Sequence, residues 1–164
     1  MKLIIEMGAK VDARNNRNST PLHWATSDTE KMRLLLAHGA NINAKTERKR
    51  TPVALAAMQR FDIAPLQLLL DQGANPNIAS FNGQTPLMTA ARAGNVEAMK
   101  LLLAKEADPS AVAGTGAIPL MAAAVSRNVE AVKLLLEHGA DVNAKTKRGQ
   151  TAIYRAASGE RRMS

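Results

Sequence analysis

Residues 85–107 read TPLMTAARAGNVEAMKLLLAKEA, and variants of this stretch recur along almost the whole chain. The Thr85 hydroxyl is placed to accept an orphan helix N–H, and Pro86 takes the first helical position, where its missing donor costs nothing. A helix therefore starts here. Leu87, Ala90 and Ala91 give it one narrow apolar face, and the two alanines let another backbone approach closely. Gly94 and Asn95 break it. Val96, Met99, Leu102 and Leu103 then recur at three- and four-residue steps, the pattern of a second amphipathic helix antiparallel to the first. Elsewhere in the chain a Gly-Ala pair stops this second helix, because glycine takes the left-handed C-terminal cap without steric cost. Glu106 replaces that glycine here, so this stop is expected to be weaker.

The start recurs at Thr20, Thr51, Thr85, Ile118 and Thr151, with spacings of 31, 34, 33 and 33 residues. The leucine-rich run returns before Gly8, Gly39, Gly73, Glu106 and Gly139. Every step from that stop to the next start is 12 residues, so all the length variation lies between the two helices of a unit. A period near 33 with a Thr-Pro-Leu start, paired alanines, a leucine triplet and Gly-Ala-Asp/Asn resembles the ankyrin repeat. The resemblance implies an all-α fold, a solenoid of antiparallel helix pairs linked by β-turn fingers. It covers residues 1–157 as one domain: a half repeat at 1–19, full repeats at 20–50, 51–84, 85–117 and 118–150, and a half repeat at 151–157. Residues 158–164, SGERRMS, form a polar C-terminal end.

The first unit is two residues short between its helices and the second is one residue long. Pro65 near the start of the second unit's second helix implies a wider turn there, with Asp62 as its cap. The fingers carry Asn or Asp early and Gly late, as at Asn77–Gly83 and Asn143–Gly149, which suits a tight turn needing positive φ. Asn18 and Lys49 occupy the glycine place in the first two fingers. Asparagine tolerates it, whereas Lys49 marks either local strain or a remodelled fingertip.

In a chain of repeats, surface is buried only between neighbours, so the core is a ribbon. At 46% hydrophobic and 2% aromatic, the composition suits close stacking through Leu and Ala and offers little for an aromatic ligand cage. The absence of cysteine removes disulfide and thiolate chemistry and is compatible with a cytoplasmic location. The three apolar residues Leu3–Ile5 are too few for a signal-peptide core, and no run approaches membrane-spanning length.

Charge is concentrated in three of the five fingers. Arg14 and Arg17, then Lys45, Arg48, Lys49 and Arg50 with Glu47, then Lys145, Lys147 and Arg148 bring nine cations and one anion, a surplus equal to the chain's +8. The two fingers between them, 78–84 and 111–117, are uncharged and offer Phe81 as an exposed aromatic. Such an edge reads as a comb for a protein partner with an acidic surface, Phe81 anchoring between cationic clusters. The competing reading is a fingertip edge that is basic for solubility alone. Nucleic acid is the weaker partner, since Phe81 is the one stacking platform the fingers present.

The ankyrin resemblance adds the concave helix face as a second contact surface. Residues just after the paired alanines project there: Met58, Gln59, Arg92, Val125 and Arg127, with Trp24 and Ser27 in the first unit. Trp24 is read as filling the space left by the short first unit. His23, in TPLH, is implied to be structural and to bond the neighbouring finger's backbone. His38 and His138 share one repeat position three units apart and sit in last helical turns, where positive charge suits the helix dipole. No glycine-rich phosphate loop, HExxH or nucleophile elbow occurs, so no catalytic residue, metal or cofactor is expected.

Both ends expose faces that a neighbouring repeat normally covers: Leu3, Ile4 and Ile5 at one, Ile153, Tyr154 and Ala157 at the other. One expectation is that the chain is a structural segment of a longer array. Another is head-to-tail self-association. If Met1 of one copy follows Ser164 of another, Thr151 and Gly8 fall 21 residues apart, the same step as Ile118 to Gly139. Such a contact is heterologous and does not close by itself.

Overall fold

In each of the four full repeats the first helix begins where the sequence places Pro after an extended residue. A computed structural model describes the backbone of residues 1–159 and side chains through Ser158. The first helices are α2 (Pro21–Trp24), α4 (Pro52–Ala56), α6 (Pro86–Ala93) and α8 (Pro119–Ser126); α3 (Thr29–Ala37), α5 (Ala64–Asp71), α7 (Val96–Ala104) and α9 (Val129–Glu137) are the second ones. A lone second helix, α1 (Lys2–Glu6), precedes them, and a lone first helix, α10 (Ala152–Gly159), follows. No strand occurs among the described residues. Ser158 and Gly159 thus belong to α10, two residues past the expected half repeat, while 160–164 lie outside the described residues.

Thr51 and Thr85 accept from the amides of Ala54 and Met88, each at 3.3 Å. Ile118 has no hydroxyl to offer and α8 starts without a side-chain cap. The second helices α7 and α9 are capped by Asn95 and Asn128, whose Oδ1 atoms accept from Ala98 and Ala131 at 3.1 and 3.2 Å. The same side chains use their Nδ2 groups to reach the previous repeat, Asn95 to the Gln59 carbonyl at 2.6 Å and Asn128 to the Gly94 carbonyl at 2.9 Å. One amide therefore caps its own helix and ties two repeats together. Asp62 accepts from Ala64 N at 3.0 Å, but the residue at the helix boundary is Ile63, so the expected cap is displaced by one position.

The ribbon core is built from one repeated register. Leu35, Leu69, Leu102 and Leu135 stand four residues before the stop in successive repeats, and none is more than 2% exposed. Each such leucine contributes about 1.5–3 kcal/mol by burial alone. Glu106 forms its stop like the others: its φ is 63°, and Ala107 N donates to Leu102 O at 2.9 Å, as Ala140 N does to Leu135 O at 3.0 Å. A Cβ at the matching Gly39, Gly73 or Gly139 meets nothing within 4 Å, so Glu106 bears only dihedral strain.

The fingers are joined to one another by backbone. Glu47 N donates to Arg17 O and Phe81 N to Arg48 O, both at 2.9 Å; Gly114 N donates to Asn82 O at 3.0 Å and Lys147 N to Thr115 O at 3.1 Å. This ladder fixes the spacing of the tips. It also limits their chemistry, because a Cβ on Gly83 or Gly116 would lie 2.8 Å from the amide nitrogen of the next finger. Lys49 carries a Cβ at the equivalent place and keeps φ at 56°, with its amide donating to Thr46 O at 2.8 Å just as Gly83 N donates to Ser80 O at 2.9 Å. The fingertip is strained, not remodelled.

Candidate partner-binding site

Trp24 is not the filler the short first unit suggested. It is 69% exposed, at the end of a helix only four residues long. The gap beside α2 is closed from the next repeat instead: Gln59 Nε2 donates to the Thr26 carbonyl at 3.1 Å, and the Thr26 hydroxyl donates to the His23 carbonyl at 3.2 Å. The indole is left outside. Gln59, expected as a contact residue, is thereby committed to the fold through both its amide and its carbonyl. Arg14 is committed likewise, its guanidinium donating to the carbonyls of Asn18 and Lys45 at 3.0 Å each and so joining the first two fingers.

The buried His23 sits beneath this region as a bracket between repeats. Its Nε2–H donates to the Arg50 carbonyl at 3.1 Å, so Nδ1 is the acceptor, and it takes the Thr20 backbone N–H at 3.1 Å. The structural role implied for this histidine is therefore present. Burial holds its pKa below the usual value of 6.5, and the nearby Arg14 charge adds to that. His38 and His138 each donate Nδ1–H to a carbonyl of their own last turn, Leu34 and Leu134, at 2.8 Å.

Two clefts open on the helix side of the fingers. One, of about 470 Å³, lies between the first two fingers and is lined by Arg17, Trp24, Arg48, Arg50 and Leu55 above His23. The other, of about 280 Å³, is lined by Arg50, Met58, Ser80, Gln84 and Arg92. Arg50 borders both, so the two clefts adjoin, and together they make a furrow along the first three repeats with Arg50 at its middle. Met58 and Arg92, two of the residues named for the concave face, line the second cleft, and Met58 is half exposed.

The remaining expected residues lie elsewhere. Arg127 takes the left-handed stop of α8 with φ at 59° and borders an apolar groove of about 330 Å³ with Val129, Val142 and Ile153, while Val125 lines neither cleft of the furrow. Phe81 is exposed on its fingertip, and Lys45, Lys49, Lys145, Lys147 and Arg148 are exposed on theirs. Sequence reasoning missed Phe61, fully exposed in the long turn of the second repeat, and the part played by Leu55. The extra residue in that turn was the available signal.

Stacked helix pairs with a basic fingertip edge and a furrowed inner face define a repeat solenoid of the kind that presents surfaces to other macromolecules. The family model for ankyrin repeats (3 copies) matches residues 1–79, 28–113, 62–146 and 110–163. The chain belongs to the ankyrin-repeat family, whose repeats are generic protein–protein interaction modules. No curated protein matches it significantly.

Proposed function

We propose that this chain is a non-catalytic docking module that holds a protein partner along its fingertip edge and inner helix face. The observation that carries this reading is the furrow. It joins exposed apolar side chains, Trp24 and Met58, to arginines at positions 17, 48, 50 and 92 that make no ion pair among the described residues. Cations on the basic fingers steer an acidic surface, and the apolar groups supply the desolvated contact. The test is capture of the partner from an extract of the source cells by the wild-type chain and by R48E/R50E/K147E/R148E. The reading expects a partner retained by the wild type, lost by the variant and released from the wild type by salt. Capture that survives the four reversals would overturn it.

A second reading, self-association, is favoured by one observation. Ile4 holds the same register as Leu35, Leu69, Leu102 and Leu135, yet it is 63% exposed. At the opposite end the groove beside Ile153 is apolar and uncovered among the described residues. In this reading α1 of one copy meets α10 of the next. Light scattering is expected to show mass rising with concentration and Ile4→Glu abolishing the rise; a constant monomer mass contradicts the reading.

A further inference from the structure

The furrow has a definite shape because α2 stops after four residues and α4 after five, whereas α6 and α8 each run for eight. Shortened first helices leave the space above His23 unfilled, and Trp24 stands at its rim. An exposed tryptophan beside a cleft is an unusual use of the most apolar-rich side chain, since such surface is normally withdrawn from water. The polar groups around it are mostly of one sign: Arg17, Arg48 and Arg50 against Glu47 alone, with Arg92 further along. The cations lining the furrow are all arginines, whose planar fork pairs with a carboxylate through two parallel hydrogen bonds. No lysine lines either cleft.

We propose that the furrow takes an extended acidic peptide segment of the partner, with one apolar side chain against Trp24 and flanking carboxylates on Arg17, Arg48 and Arg50. This deepens the docking reading above and rests on it. It also moves the anchor. The fingertip Phe81, 74% exposed, lines neither cleft, whereas Trp24 and Leu55 border the same one as the arginines. Charge complementarity selects an acidic chain, and the apolar wall selects a peptide over a simple polyanion. A nucleic acid strand asks for a row of stacking platforms, and the furrow has a single aromatic, Trp24.

Arg50 is the residue through which the inference can be tested cleanly. His23 holds it by its backbone carbonyl, so Arg50→Glu removes the charge and leaves that bond in place. The chain has one tryptophan, so emission excited at the red edge of its absorption, away from Tyr154, reports the cleft alone. The experiment titrates the full chain with a synthetic Glu- and Asp-rich peptide carrying one leucine. The expected result is a saturable blue shift of Trp24 emission, weakened at least about tenfold by R50E and unchanged in Lys133→Glu, an exposed position on α9 that lines neither cleft. Circular dichroism of R50E should match the wild type, and R48E serves as the second variant. An unmoved Trp24, or R50E and R48E both binding as tightly as the wild type, would overturn the proposal. So would a single-stranded oligonucleotide that shifts the emission at lower concentration than the peptide. If the four-reversal chain loses its cellular partner while the peptide leaves Trp24 unmoved, docking stands and this inference alone fails.

Discussion

The first two repeats and the two after them follow one plan, but they depart from it in opposite ways. In the later pair the first helices run for eight residues, and each ends on a left-handed residue, Gly94 or Arg127. There, too, the caps Asn95 and Asn128 each reach across to the repeat before. In the earlier pair the first helices are four and five residues long, the boundary residues of the second helices are Asp28 and Ile63, and the two fingers that precede those first helices hold six of the nine basic fingertip residues. Ile63 has no amide to extend, so Gln59 and Arg60 do the tying, Arg60 by donating to the Ala93 carbonyl. The difference teaches that regular repeats close their inner face and irregular ones open it. The buried register runs through all four repeats, whereas the proposed furrow lies mostly in the irregular ones.

The largest effect should separate the buried register from its exposed copy. Leu102→Ala is expected to cost about 3 kcal/mol in urea unfolding, because the site is closed on all sides. Ile4→Ala, in the same register but bare, should cost under about 0.5 kcal/mol in the monomer. Equal losses would erase the distinction between the ribbon and its end.

Fingertips give the next contrast. Gly116→Ala should destabilise by about 2 kcal/mol, combining left-handed strain with the clash against the next finger's backbone. Lys49→Gly, at the matching position two fingers earlier, should stabilise by about 1 kcal/mol. A Lys49→Gly chain that is no more stable would show that the earlier fingertip has relaxed its strain by some other route. Thr85→Ala should cost about 1 kcal/mol through its lost cap, read by the same unfolding curve.

The smallest expected effect concerns pH. His23 is neutral in the fold, with Nδ1 accepting from Thr20, and protonation would set two donors against each other. Because its folded pKa lies below 6.5, its contribution is fully present above the unfolded value and is lost as pH falls from about 6.5 through the folded value. Urea midpoints at pH 7 and pH 5 should fall in the wild type and fall less in His23→Gln. An identical drop in both would assign the acid sensitivity to other groups.

Much of the fold could be read from the chain because its signals are local. Thr-Pro starts, Gly-Ala stops and a leucine every third or fourth position act within one helix, and they recur often enough to correct one another. The furrow was harder to read because it is made by residues that are missing. Deleting two positions after Trp24 fixes where α2 ends but not which neighbour fills the gap, and here Gln59 does so, turning Trp24 outward. Arg14 has a second, structural role that was not legible for a similar reason. Its role depends on carbonyls of Asn18 and Lys45, and the second of these comes from another finger. Lys49 was legible as a site of strain, because the backbone geometry at a fingertip glycine leaves few alternatives.

The claim that the irregular repeats carry the binding surface is tested most directly by splitting the charge reversals. Partner capture would be compared between R48E/R50E, in the early fingers beside the furrow, and K147E/R148E, in the last finger. The account predicts that the first pair abolishes most of the capture and its salt sensitivity, while the second causes a smaller loss. Equal losses, or a larger loss from the second pair, would contradict it and place the partner along the fingertip comb as a whole.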